Sequence, residues 1–323
     1  GKRSISIDLK NPAGVDTLLR MAERADVLIE PFRAGTAERL GIGPEEVRKR
    51  NDSLIYARMT GWGQDGPFAP MAGHDINFTG LSGALYAIGR RDEPPVPPLN
   101  LVGDFGGGGM LLALGIVAAL FETRGSGHGQ VVDAAMVDGA ALLTTMIHGM
   151  RAMGLWSDQR GANLLDSGAP FYDVYETADG GFMAVGAIEP PFYAEFLDVL
   201  ELDGGLPTQL DDQRWPEIKG RIAARFKTRT RQDWEARFAG RDACVTPVIS
   251  MAEAPDHPHN LARSTFIELA GVTQPGPAPR FDRTPAEISG PPPVAGQHSD
   301  DVLVRFGFDE TERDSLRRTG AVR

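Results

Sequence analysis

Three side chains able to exchange a proton near neutral pH stand where turns meet regular elements. His74 lies in "AGHDIN", where a glycine turn leads into a predicted helix. Asp104 lies in "NLVGDFGGGG", at the mouth of a long apolar segment, and Glu189 in "VGAIEPP", where a predicted strand ends. An imidazole and a carboxyl group on opposite sides of one carbon could take a proton from one face and return it to the other, sharing a single proton between them. Each residue also has an ordinary structural reading. An Asp before a helix commonly caps it, a His in a turn is hydrogen-bonded in place, and a Glu before prolines is solvated. Spacing alone does not bring the three together.

Other motifs point to less. "GWGQDG" (61–66) matches GxGxxG and follows a predicted strand, but Pro67 and "FAPMAG" follow it where a dinucleotide site needs a helix. "GDFGGGG" lacks the Lys-Ser/Thr pair of a phosphate loop, and no GxSxG nucleophile elbow occurs. None of the six histidines lies in HExxH, and His257 and His259 flank a proline, so neither a metal site nor any other cofactor is expected. The single cysteine, Cys244, excludes an intramolecular disulfide and fits a reducing compartment, the cytoplasm. Within "ACVTPVI" it is expected to be a small buried filler.

The elements that would position these residues follow from apolar periodicity. "SISIDL" alternates as a strand, "GVDTLLRMAERA" has helical spacing, and "DVLIEPF" is expected to be a short strand buried on both faces. "GPEEVRKRN" carries acids in its first turn and bases in its last, as a helix prefers, and "SLIYARMTG" is another buried strand. This alternation predicts a large Rossmann-like α/β domain with a parallel sheet. The uncharged run 105–121 is read as a helix buried in the core, falling just short of a membrane span. "VVDAAMVDGAALLTTMIHGMRAMG" reads as a strand edge and one long helix. "FYDVYETADGGFMAVGAI" reads as a hairpin about Asp179–Gly181, followed by helices near 191–201, 214–227 and 231–239. The expected division is a large domain from 1–136 and 275–323, a linker helix over 137–170, and a smaller α+β domain over 171–274. The net charge of −11 and the absence of a basic run exclude a nucleic-acid binder, so an anionic ligand would need a local basic pocket.

"SISIDLK", "LIYARMTGWGQDGP", "GHDIN", "NLVGDFGGGG", "GQVVDAAMVDG", "YETADGGFMAVGAIEPPFY" and "ACVTPV" occur in this order from Lys2 onward. Together they resemble the α-methylacyl-CoA racemase branch of the class III CoA-transferase superfamily. Transferases of that superfamily carry tyrosine before the aspartate of the "G-x-D" turn, whereas racemases carry histidine, and this chain has His74. The resemblance implies an isomerase that interconverts (R)- and (S)-2-methylacyl-CoA thioesters through an enolate. His74 and Asp104 would be its acid–base pair, and Glu189 and Asn100 the partners that orient them. It also implies a CoA site formed by Ile7, Asp8, Leu9, Lys10, Pro31, Phe32, Arg33, Arg39, Gly73, His74, Asp75, Ile76, Asn77 and Phe78. Lys10, Arg33 and Arg39 would be the cations that the phosphates need. The amides of Gly106–Gly109, with no side chains in the way, are expected as donors to the enolate. Acyl-CoA would be a substrate, with no further cofactor, and the assembly an interlocked homodimer in which Glu189 comes from the second copy. The resemblance further implies a leading strand–helix unit with a basic residue for CoA, which this sequence does not include. Two alternatives stay open: a CoA-transferase with Asp104 as nucleophile, and a non-catalytic acyl-CoA binder.

Overall fold

A computed structural model describes residues 1–202 and 205–323, which divide into two compact units. The first unit comprises Gly1–Ser82, Leu99–Leu143 and Pro258–Arg323, and the second Gly83–Pro98 and Thr144–His257.

The first unit begins with α1 (Pro12–Ala22), β1 (Val27–Glu30), α2 (Thr36–Arg39), α3 (Pro44–Arg50), β2 (Ile55–Thr60) and α4 (Asp75–Leu81). The short α5 (Ala84–Ala87) belongs to the second unit. Leu101–Met110 then forms a π-helical segment that runs directly into α6 (Leu111–Ser126), followed by β3 (Val131–Ala135) and α7 (Met136–Leu143). β1, β2 and β3 form a parallel sheet in that order. Alternation along the central strand distributes the packing. Tyr56 joins Ala22, Val47 and Leu54 on the α1–α3 side, and Ala57 joins Leu112 and Ala134 on the α6 side.

Three expectations are corrected here. "SISIDL" forms only an isolated bridge, Ile7 with Val322, because its backbone bonds to the C-terminal residues, as in Asp8 N–H to Ala321 O (2.9 Å). β1 is not buried on both faces: it is an edge strand, and Ile29 is 56% exposed. The apolar helix is not enclosed in the core either. Leu101–Ser126 is long and apolar enough to cross a membrane by length and composition, yet it is only partly covered, its first part by α4 and α7 and its second by β2 and β3. Its uncovered side leaves Met110, Leu114, Val117 and Phe121 exposed, a stripe with helical spacing.

The glycines of this helix permit a close crossing. A Cβ on Gly139 of α7 would stand 1.9 Å from the Gly107 carbonyl oxygen, and one on Gly107 would stand 2.5 Å from the Ala140 nitrogen.

The predicted long helix after β3 breaks at Thr144, so the expected linker is divided: 137–143 packs with the first unit and 144–170 with the second. The second unit continues with α8 (Thr145–Ala152), β4 (Tyr172–Glu176), β5 (Phe182–Gly186), α9 (Pro190–Leu200), α10 (Trp215–Phe226), α11 (Arg231–Phe238) and β6 (Val245–Val248). β4 and β5 form the expected hairpin, with Gly180 at φ +77°, and β6 pairs antiparallel beside β5. One face of this sheet and the three helices α9–α11 enclose Phe171, Tyr175, Met183, Phe196, Phe226 and Trp234. Cys244 is exposed rather than a buried filler. Its backbone sits at φ +51° where the chain turns into β6, and the core position falls to Ala243.

The chain returns to the first unit with α12 (Pro258–Ala262), the ribbon β7 (Phe266–Leu269) and β8 (Val272–Pro275), α13 (Ser299–Arg305) and α14 (Glu310–Arg318). Residues 258–274 therefore group with the first unit, apart from the α+β domain expected over 171–274. Arg20 ties α1 to α14 through Glu312 at 2.6 Å.

Candidate active site

A cleft of about 520 Å³ opens in the first unit at the carboxyl ends of its three parallel strands. Pro31, Phe32 and Arg33 enter it after β1, Met59 to Trp62 at the end of β2, and Met136 after β3. Strand ends gather functional groups in α/β sheets because the loops there leave the sheet side by side.

His74 and Asp104 both line this cleft. His74 is the residue before α4, exposed, and its backbone N–H donates to Asn77 Oδ1 at 3.0 Å. Asp104 lies on the π-helical segment, partly buried, and accepts a long 3.4 Å hydrogen bond from the Asn100 side chain. Asn100 also lines the cleft.

The residue that brings imidazole and carboxylate to one cavity is Asp75. Its side chain is turned inward, and Oδ2 accepts the backbone N–H groups of Gly103 and Asp104, each at 2.8 Å. The first residue of α4 is thereby bonded to the backbone that carries Asp104, and His74, its chain neighbour, is held beside it. A Cβ at position 103 would come 2.6 Å from that carboxylate oxygen, so only glycine allows the approach. The sequence reading placed Asp75 among CoA contacts and missed this tie. An acid directly after His74 and a glycine directly before Asp104 were its only outward signs.

The donors expected from Gly106–Gly109 are otherwise engaged. Asp104 is inside the π-helical segment rather than at its mouth, so the following amides belong to the helical ladder. Ahead of them, the Gly103 and Asp104 amides go to Asp75, and that of Phe105 to the Asn100 carbonyl at 3.2 Å.

The remaining CoA candidates divide among several places. Gly73 and Phe78 line the cleft with Pro31, Phe32 and Arg33, whereas Ile76 and Asn77 line a neighbouring apolar depression with Phe68, Met71 and Leu81. Leu9, Lys10 and Arg39 line a third, shallow one. Ile7 packs against the Leu303–Phe308–Val322 cluster, and Asp8 accepts the Lys10 N–H at 2.9 Å. Among the described residues neither Lys10 nor Arg33 is paired with a carboxylate, which leaves both charges for an anion.

Sequence reading also missed the apolar wall. Trp62 packs edge-on against Phe78, with ring centroids 4.7 Å apart, and lines the cleft with Met59, Phe105 and Met136. The first glycine of "GWGQDG" serves that packing, since a Cβ on Gly61 would meet the Phe78 ring at 2.0 Å.

Glu189 stands in the second unit, exposed, directly before α9; its carbonyl accepts the Tyr193 N–H at 3.0 Å, and its carboxylate makes no hydrogen bond or ion pair among the described residues. Among those residues no group of three or more His, Cys, Asp or Glu side chains could hold a metal ion.

Comparison with known proteins matches residues 1–299 to the family described as CoA-transferase family III. The chain is 51% identical over 315 residues to a mouse protein named alpha-methylacyl-CoA racemase, covering 97% of this chain and 83% of that protein. A human protein of the same name is 48% identical over 316 residues, covering 97% and 82%. Among solved structures, Rv3272 of M. tuberculosis superposes with a TM-score of 0.73 at 27% identity, covering 93% of this chain and 80% of the other.

Proposed function

Because the chain belongs to CoA-transferase family III, we propose that it is an isomerase interconverting the (R) and (S) forms of 2-methylacyl-CoA thioesters. The observation that carries this reading is that His74 and Asp104 line one cleft. A racemisation needs a base on each side of the α-carbon and an acid opposite each base, and one shared proton meets both demands. With neutral imidazole and protonated carboxyl the pair takes the proton from one face; with imidazolium and carboxylate it takes it from the other. The thioester makes the α-proton removable by delocalising the carbanion as an enolate, so no cofactor is called for. The apolar wall of Met59, Trp62, Phe105 and Met136 suits the acyl part, and Arg33 suits a phosphate of CoA. The two named racemases at about half identity support the choice of isomerisation over acyl transfer.

Glu189 is assigned to the reaction as a positioning group, a role supported by the resemblance and by its unengaged carboxylate. The working form is a homodimer. The exposed stripe Met110, Leu114, Val117 and Phe121 supports this, since apolar faces of that kind are ordinarily covered by a second copy or another partner.

The test is α-deuterium uptake into a 2-methylacyl-CoA in heavy water, with no acceptor acid present. Exchange is expected in the wild type and reduced by about 10²–10⁴-fold in His74→Ala and in Asp104→Ala. Acyl transfer to an added acid without exchange would instead assign Asp104 as a nucleophile. CoA-thioester binding with neither reaction would leave a binding protein.

A further inference from the structure

Behind the cleft wall lies a charge network that the proton transfer does not use. Arg58 on β2 and Glu30, the last residue of β1, are register partners in the sheet, with side chains only 7% and 2% exposed. Arg58 Nε donates to Glu30 Oε1 at 2.8 Å. Its Nη1 and Nη2 donate to the two carboxylate oxygens of Glu38 on α2, at 2.9 and 3.3 Å. The second oxygen of Glu30 accepts the backbone N–H of Phe32 at 2.7 Å. Burial opposes the Arg58 charge, but its bonds to Glu38 and the fields of both carboxylates outweigh that and hold its pKa above the ordinary arginine value. Glu38 in turn is held below the ordinary carboxylate range, chiefly by those same hydrogen bonds.

Stability alone is a poor reason for such a cluster, because packed apolar residues often replace a buried ion pair at no loss. Its geometry suggests another. One arm ends on Phe32, beside Arg33 in the cleft, and the other on Glu38 of α2, whose next residue, Arg39, lines a shallow depression with Lys10. We infer that Arg58 is a positioning residue for CoA binding, whose guanidinium fork fixes the Phe32–Arg33 wall against α2 and so sets the spacing of the two cations Arg33 and Arg39. This inference rests on the reading of the chain as an acyl-CoA enzyme. A lysine at position 58 would keep the charge but not the fixed fork that spans two carboxylates.

The experiment compares CoA binding by titration calorimetry with α-deuterium exchange kinetics in wild type, Arg58→Lys and Glu38→Gln. Arg58→Lys is expected to raise both the Kd for CoA and the KM for 2-methylacyl-CoA by about tenfold, with kcat for exchange within about twofold of wild type. Glu38→Gln, which keeps one acceptor, is expected to shift Kd and KM in the same direction by a smaller factor. Unchanged CoA affinity in Arg58→Lys, or a fall in kcat with Kd unaltered, would overturn the inference. Should Arg58→Lys fail to fold, Glu38→Gln decides, because Glu38 is half-exposed and its loss leaves Arg58 paired with Glu30; wild-type affinity there would overturn it equally. A wild type that binds CoA but exchanges no deuterium removes the racemase reading and leaves the Kd comparison to judge Arg58.

Discussion

The two units differ in emphasis, although the first also buries Tyr56 and the second also buries Asp173. The second encloses large rings: Phe226 lies against Tyr175 and Trp234 at centroid distances of 5.3 and 5.2 Å, and the Trp234 indole N–H donates to the Phe226 carbonyl at 2.8 Å. The first packs small residues, Ala57 and Ala134 against α6 and Gly107 against Gly139, and buries charge at Glu30, Arg58 and Asp75. An aromatic core gains free energy in proportion to the apolar area it removes from water, a driving force that is not directional. A buried carboxylate costs free energy unless its partners are in position, but it fixes backbone geometry that apolar contacts leave free. The contrast separates the aromatic packing of one unit from the buried polar bonds that bring His74 and Asp104 to one cleft in the other.

The largest expected effect tests the aromatic side. Phe226→Ala should lower stability by about 3–5 kcal/mol, seen as a fall in the urea midpoint, while the folded fraction keeps its exchange activity. Loss of exchange in a folded Phe226→Ala protein would break the comparison.

Asp75→Ala should do the reverse. It strands the Gly103 and Asp104 N–H groups, which costs about 1–3 kcal/mol of stability, and it frees the turn that carries His74 into the same cleft as Asp104. Exchange is expected to fall by about one to two orders of magnitude with CoA affinity retained, and Asp75→Asn, which still offers an acceptor, should recover part of it. A drop in stability with full activity would reduce Asp75 to a packing residue.

The smallest change in fold is expected from Leu114→Glu on the exposed helix stripe. The melting of the single chain should move by no more than about 0.5 kcal/mol, because the position is open to solvent. For the homodimer proposed above, sedimentation should pass from dimer to monomer. A protein still dimeric would place the assembly surface elsewhere.

Much of this architecture was legible in the residues. The hairpin about Gly180, the helices α9–α11 and the parallel pairing of β1 and β2 follow from periodicity and turn chemistry, which act over a few neighbours. "SISIDL" failed because its alternation is met by a single bridge to Val322, 315 positions away. Cys244 failed because one backbone angle, φ +51°, exchanges it with Ala243 at the core. The run 105–121 failed because hydropathy reports the wish to leave water and not which surface satisfies it.

At the site the division is sharper. The amino-acid order by itself determined which proton carriers are available, and the His at position 74 with the motifs around it pointed to racemisation. That His74 and Asp104 share a cleft, and that Asp75 and Arg58 set its walls, was decided only in the folded chain. The reason is that the bonds responsible, Asp75 to Gly103, Arg58 to Glu30 and Arg58 to Glu38, join residues 20 to 28 positions apart, and such contacts exist only once the sheet and helices have brought their ends together.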